Sequence, residues 1–209
     1  MAAVPSVVYG LWGFFLLQNK VVPLAQWVSE HFGWLPFLGI DTEGYEKGSA
    51  LTQNTVFTSS TFIAGMVVGF MVTPIMCAIM REAFSQAPIG EREGAYALGS
   101  TKWGMITSVV LPFGKGGMIG GAMLGLGRAL GETIAVYMIL SVVPALQPNI
   151  FQNGGSSVSS LIALRYGEAQ QFSLSALFAA GLALFLMTLA INFAASSIVA
   201  RSRSGAESG

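Results

Sequence analysis

Three long runs without a charged side chain divide this sequence, from Gly48 to Met80, Thr133 to Leu164 and Ala169 to Ala200. Each is longer than the ~20 residues that cross a bilayer as helix, so each can hold one span with a polar margin. A fourth charge-free run, Met1 to Asn19, has an apolar part from Ala2 to Leu17. As helix that part rises only about 24 Å, short of the ~30 Å hydrocarbon core, and it reads as a short or clipped span. The pattern predicts a single transmembrane domain over 1–209, with four spans near 2–18, 55–80, 116–143 and 173–199. The fold class expected is an all-α polytopic membrane protein.

Composition agrees with the pattern. Hydrophobic residues make up 53% of the chain and charged ones only 10%, against roughly 25% charged in soluble globular chains. The formal net charge is zero, which argues against nucleic acid or a polybasic anchor as partner. The first apolar run has no Lys or Arg before it and does not read as a secretory signal peptide. Cys77 is the single cysteine and can form no internal disulfide. Cys77 and His31 are isolated, so no metal-ligand or nucleophile constellation is present and no metal is expected.

Between the second and third expected spans lies the polar interruption 81–112, which carries EREGAYALGSTKWGMITSVVLP from Glu91 to Pro112. Arg81 to Ala97 and Thr101 to Val110 carry helix-forming residues on either side of Gly99, where glycine permits a left-handed or sharply turned backbone. Two short helices at an angle are predicted. Glu91, Arg92, Glu93 and Lys102 keep the element wet, while Ala95, Tyr96, Leu98, Trp103 and Ile106 offer an apolar side to a partner. On composition alone an ordinary solvated loop would serve equally well. Glu93, Ala95, Gly99, Val109, Leu111 and Pro112 fall where the EAA loop of ABC importer permeases places its Glu-x-Ala, Gly, aliphatic and Leu-Pro. Gly94 stands where that motif usually has alanine, a small-for-small change. The resemblance implies a cytoplasmic coupling loop at 81–112, with Glu93, Gly94, Ala95, Gly99, Leu111 and Pro112 meeting a groove on an ATP-hydrolysing subunit.

With 81–115 on the cytoplasmic side, that side holds Arg81, Arg92, Lys102, Lys115, Arg201 and Arg203, against Lys20, Lys47 and Arg165 outside. This distribution obeys the positive-inside rule and leaves both termini cytoplasmic. Outside, between about Gln18 and Leu51, Trp27, Phe32, Trp34, Leu35, Pro36 and Phe37 fit an aromatic belt, and Asp41, Glu43 and Glu46 follow in water. Gln147 to Ser157 is rich in Asn, Gly and Ser, and Ser157 to Ala169 resumes helical spacing as a short interfacial helix.

The third span concentrates the candidate chemistry. At about 100° per residue Gly117, Gly121, Gly125, Arg128 and Glu132 fall within an arc of about 80°. The glycines would let a neighbouring helix approach closely. Arg128 and Glu132, one turn apart near mid-span, must face protein or water, because an exposed charge there costs ~2.5 kcal/mol or more. One reading is a structural ion pair. The other is an anion path, in which the planar donor fork of Arg128 meets phosphate oxygens and Glu132 holds it between substrates.

Gly125 to Leu140, GLGRALGETIAVYMIL, resembles the corresponding segment of the phosphate-specific ABC importer permeases, and Pro5 to Gly13, PSVVYGLWG, resembles another segment of that family. Ala135-Val136 after Gly-Glu-Thr is similar to the C type of permease subunit rather than the A type. The resemblance implies the type I, MetI-like transmembrane-domain core. That family usually has six spans, so the helices that usually precede the Pro-Ser-Val-Val-Tyr-Gly segment are expected to be absent here. It also implies half of a translocation path for phosphate in a bacterial plasma (inner) membrane. The implied partners are a second, A-type permease subunit, two copies of an ATPase, and a periplasmic or lipid-anchored phosphate-binding protein that could touch the 157–169 helix. No Gly-x-x-x-x-Gly-Lys-Ser/Thr occurs, so no cofactor is expected in this chain, ATP and Mg belonging to the partner ATPase, and no catalytic residue is expected. Two alternatives stay open: a permease for another oxyanion such as sulfate or molybdate, and a non-transporting membrane scaffold in which stripe and ion pair serve assembly only.

Overall fold

The computed structural model describes residues 5–40, 56–142 and 147–204, with side chains left out at 195 and from 198 onward. The expected acidic stretch Asp41, Glu43 and Glu46, the end of the third expected span at Val143, and the side chains of Arg201 and Arg203 lie outside them. The described residues are helical apart from connecting turns and one isolated bridge, Ser60 with Asn153. In order the elements are α1 (Ser6–Trp12), a π-helical turn (Gly13–Leu17), α2 (Gln18–Phe32), α3 (Thr61–Ser85), α4 (Ile89–Ala97), α5 (Lys102–Met105), a second π turn (Ile106–Val110), α6 (Leu111–Leu130), α7 (Ile134–Ile139), α8 (Val158–Arg165), a 3-10 turn (Tyr166–Glu168) and α9 (Gln171–Ser204).

Among the described residues four helical stretches are long and apolar enough to cross a membrane: Ser6–Phe32, Thr61–Ser85, Lys102–Leu130 and Gln171–Ala194. The chain is a multi-pass membrane protein. Helix ends differ from those expected at 2–18 and 116–143. The first helix runs on through Lys20 and Pro23 to Phe32. Val21, Val22, Ala25 and Ser29 are buried, so tertiary packing outweighs the break that a charge and a proline suggest. The third begins at Lys102 and stops at Leu130, where Gly131, Glu132 and Thr133 leave the helix before α7. Pro112 falls in the first turn of α6, just after the π turn in which the Leu111 N–H donates to the Ile106 carbonyl. A proline there removes a bond the widened turn has already displaced.

The contacts fall into two groups. The first comprises residues up to Met71 and Gly131–Leu184. Here α1 and α7 lie backbone to backbone: a Cβ on Gly10 would stand 3.0 Å from Ala135 Cα, and one on Gly13 would stand 2.5 Å from Val67 Cγ2. Trp12 meets Phe70 edge-on at 6.0 Å. A small apolar core of Val22, Ala25, Phe57 and Phe151 gathers the end of α2 and the loops around it. Backbone bonds from Ile150 N to Phe37 O at 3.1 Å and from Phe62 N to Ile150 O at 2.9 Å tie those loops together. Trp27, Phe32, Trp34 and Phe37 remain exposed, as residues of an aromatic belt do.

The second group comprises Val72–Leu130 and residues from Phe185 on. Its main contact is α6 against the later half of α3, running in opposite directions. Gly114 faces Phe84, Gly117 faces Ala83, Gly121 faces Met80 and Ile79, and Gly125 faces Met76 and Val72.

Candidate functional site

The polar interruption folds as three pieces rather than two. The expected Arg81–Ala97 helix is split: α3 ends at Ser85 and α4 begins after Pro88, which caps it without a side-chain bond. Proline disfavours the helical region for the residue before it, so Ala87 cannot continue α3. α4 closes at Leu98, and Gly99 follows with φ +85°. No atom lies within 4 Å of the Cβ it lacks, so the demand at Gly99 is conformational, not steric. The Ser100 N–H donates back to Ala95 O at 3.1 Å, and Thr101 caps α5 by accepting from Gly104 N at 3.1 Å.

The turn leaves a ridge of apolar side chains uncovered. Leu98 is 90% exposed and Trp103 71%, with Tyr96 at 46%; Ala95 and Ile106 are half-buried. Ile89, absent from the sequence reading, is 69% exposed and belongs with them; its signal was an isoleucine directly after the proline that opens α4. Glu93 and Gly94 are exposed, and the space beside Gly94 would admit a methyl group. Leu111 and Pro112 lie on the same continuous helical stretch as Trp103.

Gly117, Gly121 and Gly125 are brought together on one face of α6, and that face is taken by α3 of the same chain. Arg128 is exposed near the end of α6. Glu132 lies beyond that end, so the one-turn spacing on a shared helical stripe is not present. Its carboxylate has another task. Glu132 is 8% exposed, and its Oε1 accepts from Ala135 N at 3.2 Å, so from the residue before the N-cap Thr133 its side chain satisfies one of the free N–H groups at the start of α7. Its carbonyl accepts from Ser159 Oγ at 3.0 Å. Ser159 belongs to a serine cluster at the start of α8, where Ser157 and Ser160 form a reciprocal capping box. That cluster was not read as part of the site; its signal was the Ser157-x-x-Ser160 spacing before an apolar run. Among the described residues no group of His, Cys, Asp and Glu could hold a metal ion.

Residues 1–204 match the family described as the inner membrane component of binding-protein-dependent transport systems. The chain belongs to this family. As an inner membrane component of that kind it has the type I, MetI-like transmembrane-domain core. It is 41% identical over 203 residues to phosphate transport system permease protein PstC 2 of Mycobacterium tuberculosis, covering 95% of this chain and 58% of the relative. It is 40% identical over 201 residues to the PstC permease of Mycobacterium leprae, covering 95% and 59%. It is 40% identical over 196 residues to that of Pasteurella multocida, covering 91% and 57%. The chain spans less than two thirds of the length of these curated relatives.

Proposed function

We propose that this transport component serves in an ATP-driven phosphate importer of the bacterial plasma membrane, contributing half of a translocation path and hydrolysing nothing itself. The observation that carries the reading is the set of uncovered apolar side chains Ile89, Tyr96, Leu98 and Trp103 on either side of the left-handed Gly99, the last of them on a helical stretch that runs on unbroken as a membrane helix. A row of large apolar side chains in water is a binding surface. In this setting its partner is an ATPase subunit, present as a dimer, and closure of that dimer is passed to the membrane through Lys102–Leu130. The names of the relatives support phosphate as the substrate, and the family description supports a binding protein as a partner; a second, A-type permease completes the proposed assembly. Both termini are then cytoplasmic. Arg128, exposed and always charged, is the group that meets the passing anion; Glu132 holds the helix break beside the path rather than neutralising the arginine.

The test is co-purification of the ATPase subunit and its stimulation by this chain. Leu98→Glu and Trp103→Glu should each weaken association about tenfold or more, since each anchor removed at an interface centre costs ~2 kcal/mol. Glu82→Gln, on the last turn of α3, should leave it unchanged. Full association and stimulation in both ridge variants would refute the coupling role.

A further inference from the structure

α8, the 3-10 turn and the first turns of α9 enclose a groove of about 370 Å³, lined among others by Leu161, Arg165, Glu168, Phe172, Ser173 and Leu177. Its place along the chain fixes its depth. Arg165 and Glu168 are the last charges before the charge-free run that begins at Ala169, and the apolar helix starts at Gln171. The groove therefore sits where that helix leaves the hydrocarbon, at the level of lipid headgroups. Phe172, which lines it, is 88% exposed, and Tyr166, next to Arg165 in the chain, is 59% exposed, as interfacial aromatics are. At its apolar end α8 comes down on α9, with Ile162 Cδ1 3.6 Å from the Cβ position of Gly181.

The wet end carries one charge of each sign. Arg165 and Glu168 are exposed and line the same groove, and neither side chain has an ion-pair or hydrogen-bond partner among the described residues. A purely anionic headgroup would satisfy the guanidinium but be repelled by the carboxylate. A headgroup carrying phosphate next to a cation satisfies both. A primary ammonium also has three N–H donors for Glu168 and the Ser173 hydroxyl, whereas a quaternary ammonium has none. We propose that this groove binds a phospholipid of the phosphoethanolamine class, its phosphate on Arg165, its ammonium on Glu168 and Ser173, and an acyl chain along Leu161, Phe172 and Leu177.

Native mass spectrometry of the purified full chain in mild detergent, titrated with phosphatidylethanolamine, phosphatidylcholine or phosphatidylglycerol of one acyl composition, tests this. The ethanolamine lipid should be retained about fivefold better than the other two, as befits partly exposed charge pairs. Glu168→Gln should remove that preference and leave the choline lipid unchanged. Arg165→Gln should weaken all three. Ala176→Trp, which fills the apolar end without touching a charge, should expel lipid while far-UV circular dichroism stays helical. Equal retention of the three lipids by the unaltered chain overturns the proposal, as does an undiminished ethanolamine preference in Glu168→Gln. Displacement by equimolar soluble phosphoethanolamine would show that the headgroup alone is recognised and would overturn the lipid assignment. Protection of Arg165 from a guanidine-modifying reagent by a soluble phosphate-binding protein, and not by lipid, would give the groove to a protein partner.

Discussion

Replacing Gly125 by alanine tests whether the stripe on α6 is a contact inside the chain. A Cβ at that position would stand 2.5 Å from both Met76 Cγ and Sδ and 2.7 Å from Val72 Cγ1. The methionine end can swing aside, but the valine is held to one rotamer in its helix. Restoring ordinary carbon contact at ~3.5 Å therefore asks α3 and α6 to part by roughly 1 Å. Overpacking of this kind costs about 1–3 kcal/mol. Alanine gives back up to ~1 kcal/mol of helix propensity over glycine, so the net loss is about 0–2 kcal/mol. Two neighbours calibrate it. At Gly121 the nearest atom would be Met80 Cγ at 3.2 Å, and at Gly120 nothing lies within 4 Å. Gly121→Ala should be near neutral and Gly120→Ala neutral to slightly stabilised. Unfolding of the three purified chains by titration of a denaturing detergent into a mild one, followed by helicity, should rank them Gly120→Ala, Gly121→Ala, Gly125→Ala from most to least stable. Gly125→Ala as stable as Gly120→Ala would refute the packing. A loss of association with a second permease subunit, with the isolated chain unchanged, would place the stripe between subunits instead.

Glu132→Gln keeps an oxygen acceptor for Ala135 N, whereas Glu132→Ala removes the cap and should cost about 1 kcal/mol in the same titration; equal loss in both would show that charge, not capping, is what the position supplies. In vesicles carrying the assembled importer, Arg128→Gln should abolish phosphate uptake and Arg128→Lys should impair it, because lysine keeps the charge and loses the planar fork; an unchanged uptake rate in the glutamine variant refutes the anion path.

The apolar helices Thr61–Ser85 and Gln171–Ala194 were legible because long charge-free runs leave few alternatives to spanning helix; Lys102–Leu130 carries Lys102, Lys115 and Arg128, while the charge-free run Thr133–Leu164 holds only the short α7 and α8 among the described residues. Helix ends were not legible. Lys20 and Pro23 argue locally for a stop, and only burial of Val22 and Ala25 against Phe57 and Phe151, residues far off in sequence, carries α2 to Phe32. Gly99 could be read as a turn since its requirement is a property of its own backbone. The Arg128 and Glu132 pair could not be read from a helical wheel, which assumes an unbroken helix. Gly131 after the last apolar residue and Thr133 before the next apolar run were the local stop and start signals, and they decide the matter. The α3–α6 contact was half legible: glycines announce close approach, but which helix approaches is a question of topology.

The stretch Lys102–Leu130 is 29 residues long, about 44 Å as helix, against a hydrocarbon core of ~30 Å. Set upright with its 20-residue α6 in the hydrocarbon, it projects roughly 14 Å beyond one face of the bilayer. The second π turn then lies at the water boundary, where the carbonyls loosened by the wide turn and by Pro112 are free to take hydrogen bonds from solvent, and Lys115 reaches the same level by its own length. Trp103 then stands clear of the headgroups, where a soluble protein can grip it without touching lipid.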